Sequence, residues 1–418
     1  MVNKLFEFIE KSPTAFHAVE TASKELLDAG FIRLYENEVW NLKKNSSYFV
    51  VRHGSALIAF KTGENFAYNL VAAHTDSPTF RIKTSPVMKA AGENKLNVEA
   101  YGGAIFNTWM DRPLGIAGRI VTEKDGELNI KNAISDKTIV IPNLAVHLNR
   151  TVNEGAKLNP QVDMCPIIGQ ADSLDDLLNL DGEKLVDYDL MLYCKDKGYV
   201  WGDEGQYISC PRLDDLEGCY CAMQALLQSN NRSISVLAML DSEEIGSSTY
   251  TGANSEFLHD TVIRIGEGLG KTRGEVMSAL ANSVLVSMDN AHGIHPNHQE
   301  LCDPTNKCKL NNGVVIKHHS SSYTSDSVTS AIIKKIFDKA EVPHQDFYNR
   351  SDLRGGSTLG ALSLSHVSVN SVDIGLAQWA MHSATESAGI KDVDYLVKGL
   401  KEFYSALIKK SPDKIVIE

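Results

Sequence analysis

The chain has 418 residues, 43% of them hydrophobic and 22% charged, with a formal net charge of −12. That is the composition of a globular protein long enough for about two or three domains. The acidic balance argues against nucleic acid as a partner, and no apolar run approaches the ~18 residues of a membrane-spanning helix.

Glu7 and Glu10 interrupt the apolar pattern at the N-terminus, unlike a secretory signal. Ser12-Pro13 reads as a helix start, followed at helical spacing by Phe16, Val19, Ala22, Leu26 and Leu27 and stopped at Asp28-Ala29-Gly30. Tyr48 to Arg52 and Ala56 to Phe60 read as paired strands turning at His53-Gly54. The apolar run from Phe66 to Ala73 ends at His74-Thr75-Asp76.

From about residue 81 to 205 the texture changes. Short strand-like pieces (118–121, 138–141, 190–193) alternate with turns such as Gly102-Gly103, Asp125-Gly126 and Asp181-Gly182, as in a β-rich inserted domain. Helix and strand then alternate. A helix spans Leu216 to Leu227, and Ile234 to Leu240 is a buried strand ending at Asp241-Ser242-Glu243-Glu244. The segment from Thr261 to Gly270 reads as broken by glycines, and Thr272 to Ala281 as helical. Val284 to Met288 is a strand ending at Asp289, and Ser325 to Ala340 an amphipathic helix with Val328, Ala331, Ile332 and Ile336 inward. Val367 to Ile374 is a last strand, its loop carrying His382, and Tyr395 to Ile408 a C-terminal helix. This alternation predicts an α/β sheet with helices on both faces, built from residues 1–80 and 206–418 around the 81–205 insertion.

The ends of the apolar runs carry the chemistry. His74 and Asp76, Asp214 and Asp215, Glu243 and Glu244, Asp289 and His382 all follow buried segments or precede a helix. In a parallel sheet, ligands collect beyond the carboxyl ends of strands. Each residue alone has an ordinary alternative: a structural histidine, an N-capping aspartate, a solvated Glu-Glu helix start. Together they make a set of imidazoles and carboxylates suited to zinc, manganese or cobalt. The seven cysteines (Cys165, Cys194, Cys210, Cys219, Cys221, Cys302, Cys308) lack metal-knuckle spacing and read as reduced, packed thiols of a cytoplasmic protein.

The segments VAAHTDSP, CPRLDDLEGCYCA, DSEEIGS, SMDNAHGIHPN and WAMHSATES, with SPTAFHAV and NLAVHLNR, resemble in order the motifs of the aspartyl aminopeptidase family, M18, over essentially the whole chain. The resemblance implies a three-layer α/β/α core with a mainly parallel or mixed sheet and an inserted β-rich domain at subunit contacts. It also implies two divalent ions, zinc first. His74 and Asp289 would hold one, Glu244 and His382 the other, and Asp214 would bridge them. Asp214 is taken over Asp215 because the family's Leu-Asp-Asp/Asn pattern places the ligand first. Glu243 would be the general base and acid acting with a hydroxide shared by the ions, and Asp76 would orient His74.

The implied activity is removal of N-terminal residues, acidic ones preferentially, from peptides with free N-termini, in a homo-oligomer, often a dodecamer. His147 would reach a neighbouring subunit's site and contact substrate, with a direct metal contact the lesser alternative and a satisfied strand histidine the structural one. Lys317, Arg354 and the Gly355-Gly356 loop are candidates for the pocket of the substrate's first side chain. His292, His295 and His298 are spaced like ligands but Pro296 breaks any helix there, and His318 and His319 read as surface residues. Two competing readings are another dimetal amide hydrolase, told apart by its indifference to a free amine, and a metal-bound assembly without activity. The extra glutamate Glu243 speaks against the second.

Overall fold

The computed structural model describes all residues except 231, 319–321, 354 and 357, so His319 and Arg354 lie outside the described residues. Nine strands form the central sheet, in the order Ile32–Leu34, Ser47–Arg52, Ala56–Lys61, Ile234–Leu240, Tyr68–His74, Val284–Met288, Asn370–Gly375, Val314–His318, His344–Tyr348. The four strands Ile234–Leu240, Tyr68–His74, Val284–Met288 and Asn370–Gly375 are mutually parallel. Antiparallel pairings flank them on both sides, so the sheet is mixed.

The central strands are apolar throughout because both faces are covered. Val71, Ala73, Leu237 and Met239 pack into one core with the helices Leu213–Gln228 and Ile390–Ser405. Their neighbours Leu70, Ala72, Val236 and Ala238 face the opposite core, under the helices Phe257–Gly268 and Arg273–Ala281. The period-two alternation of a strand thus serves two helical layers at once, giving the expected α/β/α sandwich.

A separate six-stranded antiparallel sheet lies between residues 79 and 194, with its own core around Phe80, Val98, Trp109, Leu114, Ile116 and Leu192. Strand Tyr199–Trp201 pairs with Tyr207–Cys210, which pairs in turn with Glu386–Gly389 in a smaller five-stranded sheet. Among the described residues no helix is long and apolar enough to cross a membrane. All seven cysteines are unpaired, and six are buried.

Several local expectations are corrected. The second helix spans Ala15–Asp28 with Thr14, not Ser12, as N-cap, and a first helix at Val2–Glu10 precedes it. Residues 138–141 make only isolated bridges, through Ile139 and Val140; the following Pro142 has no N–H to extend a ladder. The helix Phe257–Gly268 runs on through its glycines. Gly266 is where the next helix crosses, since a Cβ there would meet Val276 at 2.2 Å. In the helix Ser327–Lys339, Val328 and Ala331 face out, and Ile332, Ile333, Ile336 and Phe337 face in.

Candidate active site

The carboxyl ends of two parallel strands, the start of the helix Leu213–Gln228 and the segment after the strand Ala377–Trp379 meet in one largely buried cluster. His74 is the last residue of its strand and is 1% exposed. Its Nε2 lies 3.8 Å from Asp214 Oδ1. The other oxygen of Asp214 lies 3.6 Å from His382 Nε2, which is also 3.5 Å from Glu244 Oε1. The Asp214 carboxylate therefore sits between two imidazoles, one of which also faces a second carboxylate. His74, Asp214 and Glu244 each offer a donor atom within 4.8 Å of the others.

Asp215 points elsewhere: its Oδ2 accepts the backbone N–H of His74 at 3.2 Å. The peptide bond between the two aspartates is cis. Asp289 follows Met288 and lies further along the edge. Its Oδ2 is 3.4 Å from the Lys317 ammonium, and its charge still acts on Asp214, Asp215 and Glu243.

The Asp76 backbone carbonyl receives His74 Nδ1 at 3.0 Å, and its carboxylate lies 3.5 Å from the same nitrogen. That carboxylate also accepts the backbone N–H groups of Glu243 at 3.1 Å and Glu244 at 3.2 Å, and the Tyr101 hydroxyl at 2.9 Å. One aspartate thus fixes both an imidazole and the turn bearing the two glutamates.

Other residues fix the cluster through backbone contacts that no sequence spacing marks. Glu386, 2% exposed, accepts the Asp214 N–H at 2.9 Å on one oxygen and the His382 N–H at 2.6 Å on the other. Just after the antiparallel strand Glu93–Tyr101, the Gly103 carbonyl lies 3.2 Å from His382 Nδ1. Gly102, at φ +71°, abuts Glu244, where a Cβ would come within 3.0 Å of Glu244 Cβ. A glutamate binding main-chain amides and a turn delivering a carbonyl are long-range pairings. The Tyr-Gly-Gly sequence signals only the turn.

Charge crowding is visible in the protonation behaviour. Burial foremost, then neighbouring acids, pushes Glu243 up to about 7 against the pull of His74. Burial raises Glu244 well above the carboxylate range. His382 is partly buried, which alone would lower it, yet Asp214 and Glu244 lift it to about 10. Asp214 Oδ1 and Glu244 Oε1 are buried without a hydrogen-bond partner, a costly arrangement unless a cation takes their lone pairs. Two imidazole nitrogens and unpartnered carboxylate oxygens at these separations fit borderline divalent ions.

The remaining candidates are not gathered here by any close contact among the described residues. Lys317 is buried in its strand. Its ammonium bonds the carbonyls of Asp289 and Asn290, both at 3.0 Å, and so braces Asp289. Gly355 lies against Asn349, and Gly356 is exposed. His147 is exposed in a turn, not a strand, between the exposed Val146 and Leu148. His295 and His298 are exposed, their rings tilted at 39° with centroids 5.2 Å apart, while His292, beside Phe347, has its pKa lowered by burial and by Lys317 and feels Asp214 and His382. His318 is not free surface: its ring bonds Asp346 at 2.8 Å and stacks on Tyr348.

A largely buried imidazole and carboxylate cluster at the edge of a mixed α/β sheet suits a metal-dependent hydrolase. The chain belongs to the M18 family, aminopeptidase I zinc metalloproteases, whose model matches residues 8–404. It is accordingly a metallo-aminopeptidase, a hydrolase acting on peptide bonds. It is 44% identical to a probable M18 family aminopeptidase 2 of Clostridium novyi, covering 96% of this chain and 98% of that one. Among solved structures it is similar to the chain described as the Ape4 and Nbr1 complex (32% identity, TM-score 0.90, 96% and 85% covered). It is similar also to the mApe1 dodecamer of S. cerevisiae (26% identity, TM-score 0.83, 96% and 95% covered).

Proposed function

We propose that this chain is a two-zinc aminopeptidase that removes acidic N-terminal residues from peptides. The observation that carries the reading is the Asp214 carboxylate between His74 and His382, with a buried oxygen left unpartnered. His74 and Asp289 would hold one ion, Glu244 and His382 the other, with Asp214 shared; manganese or cobalt would suit the same donors. When bound, such ions supply Lewis acidity, polarising the scissile carbonyl and acidifying water.

The chain's own residues do the rest. Glu243 neighbours a ligand without being one, and burial holds it at about 7, so it can take a proton from the attacking water and return it to the leaving amine. Asp76 and Glu386 keep the donors in register by binding backbone N–H groups. The inserted residues 81–205 would serve subunit contacts and complete the site, His147 contacting substrate from a neighbouring subunit. Its exposed apolar flank at Leu144, Val146 and Leu148 supports a covered location in a homo-oligomer, and the similarity to a dodecameric relative favours that assembly. The unpaired cysteines favour the reducing cytoplasm.

The acidic preference rests on the family resemblance and is the part most open to direct test. Rates on Asp-, Glu-, Leu- and Lys-anilides should rank the acidic pair first, and N-acetyl-Asp-anilide should not be cleaved. Equal rates across the four would remove the preference. Cleavage of the acetylated substrate would remove the requirement for a free amine.

A further inference from the structure

A cavity of about 340 Å³ lies beside the candidate metal centre, walled by residues of the antiparallel sheet and of the α/β core. Its apolar wall includes Phe16 at the start of the helix Ala15–Asp28, Met191 and Tyr193 on the strand Lys184–Cys194, and Trp109 and Tyr250. Asp76 and Glu386 reach it from one side, but none of His74, Asp214, Glu243, Glu244, Asp289 and His382 lines it. Such a volume, with apolar walls and a few fixed polar groups, is typical of a small-molecule site.

One polar group of this wall is out of balance. Arg212 donates from Nη2 to the Ile9 carbonyl at 3.2 Å and from Nη1 to the Cys194 carbonyl at 3.5 Å, and its buried Nε has no partner. A guanidinium carries several more N–H donors than these two contacts use, and among the described residues Arg212 makes no ion pair with a carboxylate. The other arginines of the wall are matched: Arg119 and Arg81 hold Asp189 at 2.6 and 3.0 Å. Trp109, 4% exposed, adds a second unmatched donor at Nε1. An enclosed cation without a counter-charge is costly until something supplies one.

We propose that this cavity binds a small organic carboxylate with an apolar body, its carboxylate on the Arg212 guanidinium and its body against Phe16, Met191 and Tyr193, at a site separate from the metal centre. A carboxylate matches the planar fork of arginine and brings the missing charge. Asp76 and Glu386 work against an anion, but each is already held by two backbone N–H groups. Asp241, on the same wall, accepts the Ser242 N–H at 2.7 Å and the Thr251 hydroxyl at 3.3 Å and makes no ion pair among the described residues. An ammonium on the ligand would complete it. Two sources share this chemistry: a free amino acid, the kind of product an aminopeptidase releases, and an organic acid without an amine.

The test uses the zinc-loaded holoenzyme with its catalytic ions first saturated by leucine hydroxamate, so that added carboxylate does not go to zinc. Calorimetric titration with isocaproate should show one site per chain, and the neutral isocaproamide should bind about 10-fold more weakly or worse. Arg212→Met should weaken isocaproate by a similar factor and leave the amide unchanged. Met191→Trp, which fills the cavity from the antiparallel sheet, should lose isocaproate binding and keep its turnover; this variant carries the test should Arg212→Met fail to fold. Leucine binding more tightly than isocaproate would support an amino acid at the site, and the reverse order an organic acid without an amine. Equal binding of acid and amide, undiminished binding in Met191→Trp, or binding seen only without the hydroxamate would overturn the proposal.

Discussion

Replacing Glu386 by Gln changes one atom at the point where two candidate ligands are tied together. The carboxylate accepts the Asp214 N–H at 2.9 Å and the His382 N–H at 2.6 Å. Glutamine can accept only one of these, and its NH₂ opposes the other N–H. Burial first, then the Asp214 charge, pushes Glu386 up to about 8, so its bonds are fully charge-assisted only above that pH; there the loss is one such bond, worth about 1.5–3 kcal/mol, plus a buried donor left unsatisfied at about 1–3 kcal/mol. Relaxation will recover part of this, and supporting partners of metal ligands typically carry about 10–100-fold in metal affinity. A zinc-competition titration against a chromophoric chelator should therefore show 10–100-fold weaker binding in Glu386→Gln. Circular dichroism should report a folded protein, and excess zinc should recover turnover. Zinc affinity equal to that of the wild type would refute the view that Glu386 sets the separation of Asp214 and His382.

Other outcomes follow from the same geometry. Glu243→Gln should keep its metal content and lose about 10²–10⁴-fold in turnover; metal analysis with kinetics checks both, and near-normal turnover would remove its role as base. Lys317→Met strands the Asp289 carboxylate and two carbonyls, so urea denaturation should show a loss of about 3–5 kcal/mol. A loss below about 1 kcal/mol would mean that the ion pair braces nothing. His17 is buried against Thr14, and burial first of all lowers it to about 4. The unfolded chain therefore binds the extra proton first. Stability from this residue is complete above pH 6.5 and is lost as pH falls towards 4, up to about 3 kcal/mol. Compared with His17→Gln by chemical denaturation, the wild type should lose more stability between pH 7 and pH 4.5, and parallel curves would contradict this.

The sheet was legible because its central strands are buried on both faces, so Ile234–Leu240 and Val284–Met288 appear as unbroken apolar runs with abrupt polar ends. His74 and Glu244 follow such ends, which a parallel sheet puts on one edge; Asp214, at a helix start, and His382, beyond the separate strand Ala377–Trp379, do not. Less legible was whatever depends on distant backbone. Glu386 binds an amide 172 residues away, and Tyr101 reaches Asp76 from the antiparallel strand Glu93–Tyr101. Neither pairing has a spacing rule. Lys317 shows another long-range pairing: its strand faces the Asp289 turn, and the ammonium bonds there. The outward Val328 and Ala331 reflect a helical phase that apolar residues alone leave ambiguous when Ile332 and Ile333 adjoin.

The central claim, that Asp214 is shared by two ions, is tested most directly by an anomalous difference map recorded at the zinc edge from zinc-loaded crystals. Two peaks are predicted, each within about 2.0–2.2 Å of a different Asp214 oxygen, one also touching His74 and Asp289, the other Glu244 and His382. A single peak, or peaks that leave Asp214 untouched, would contradict it.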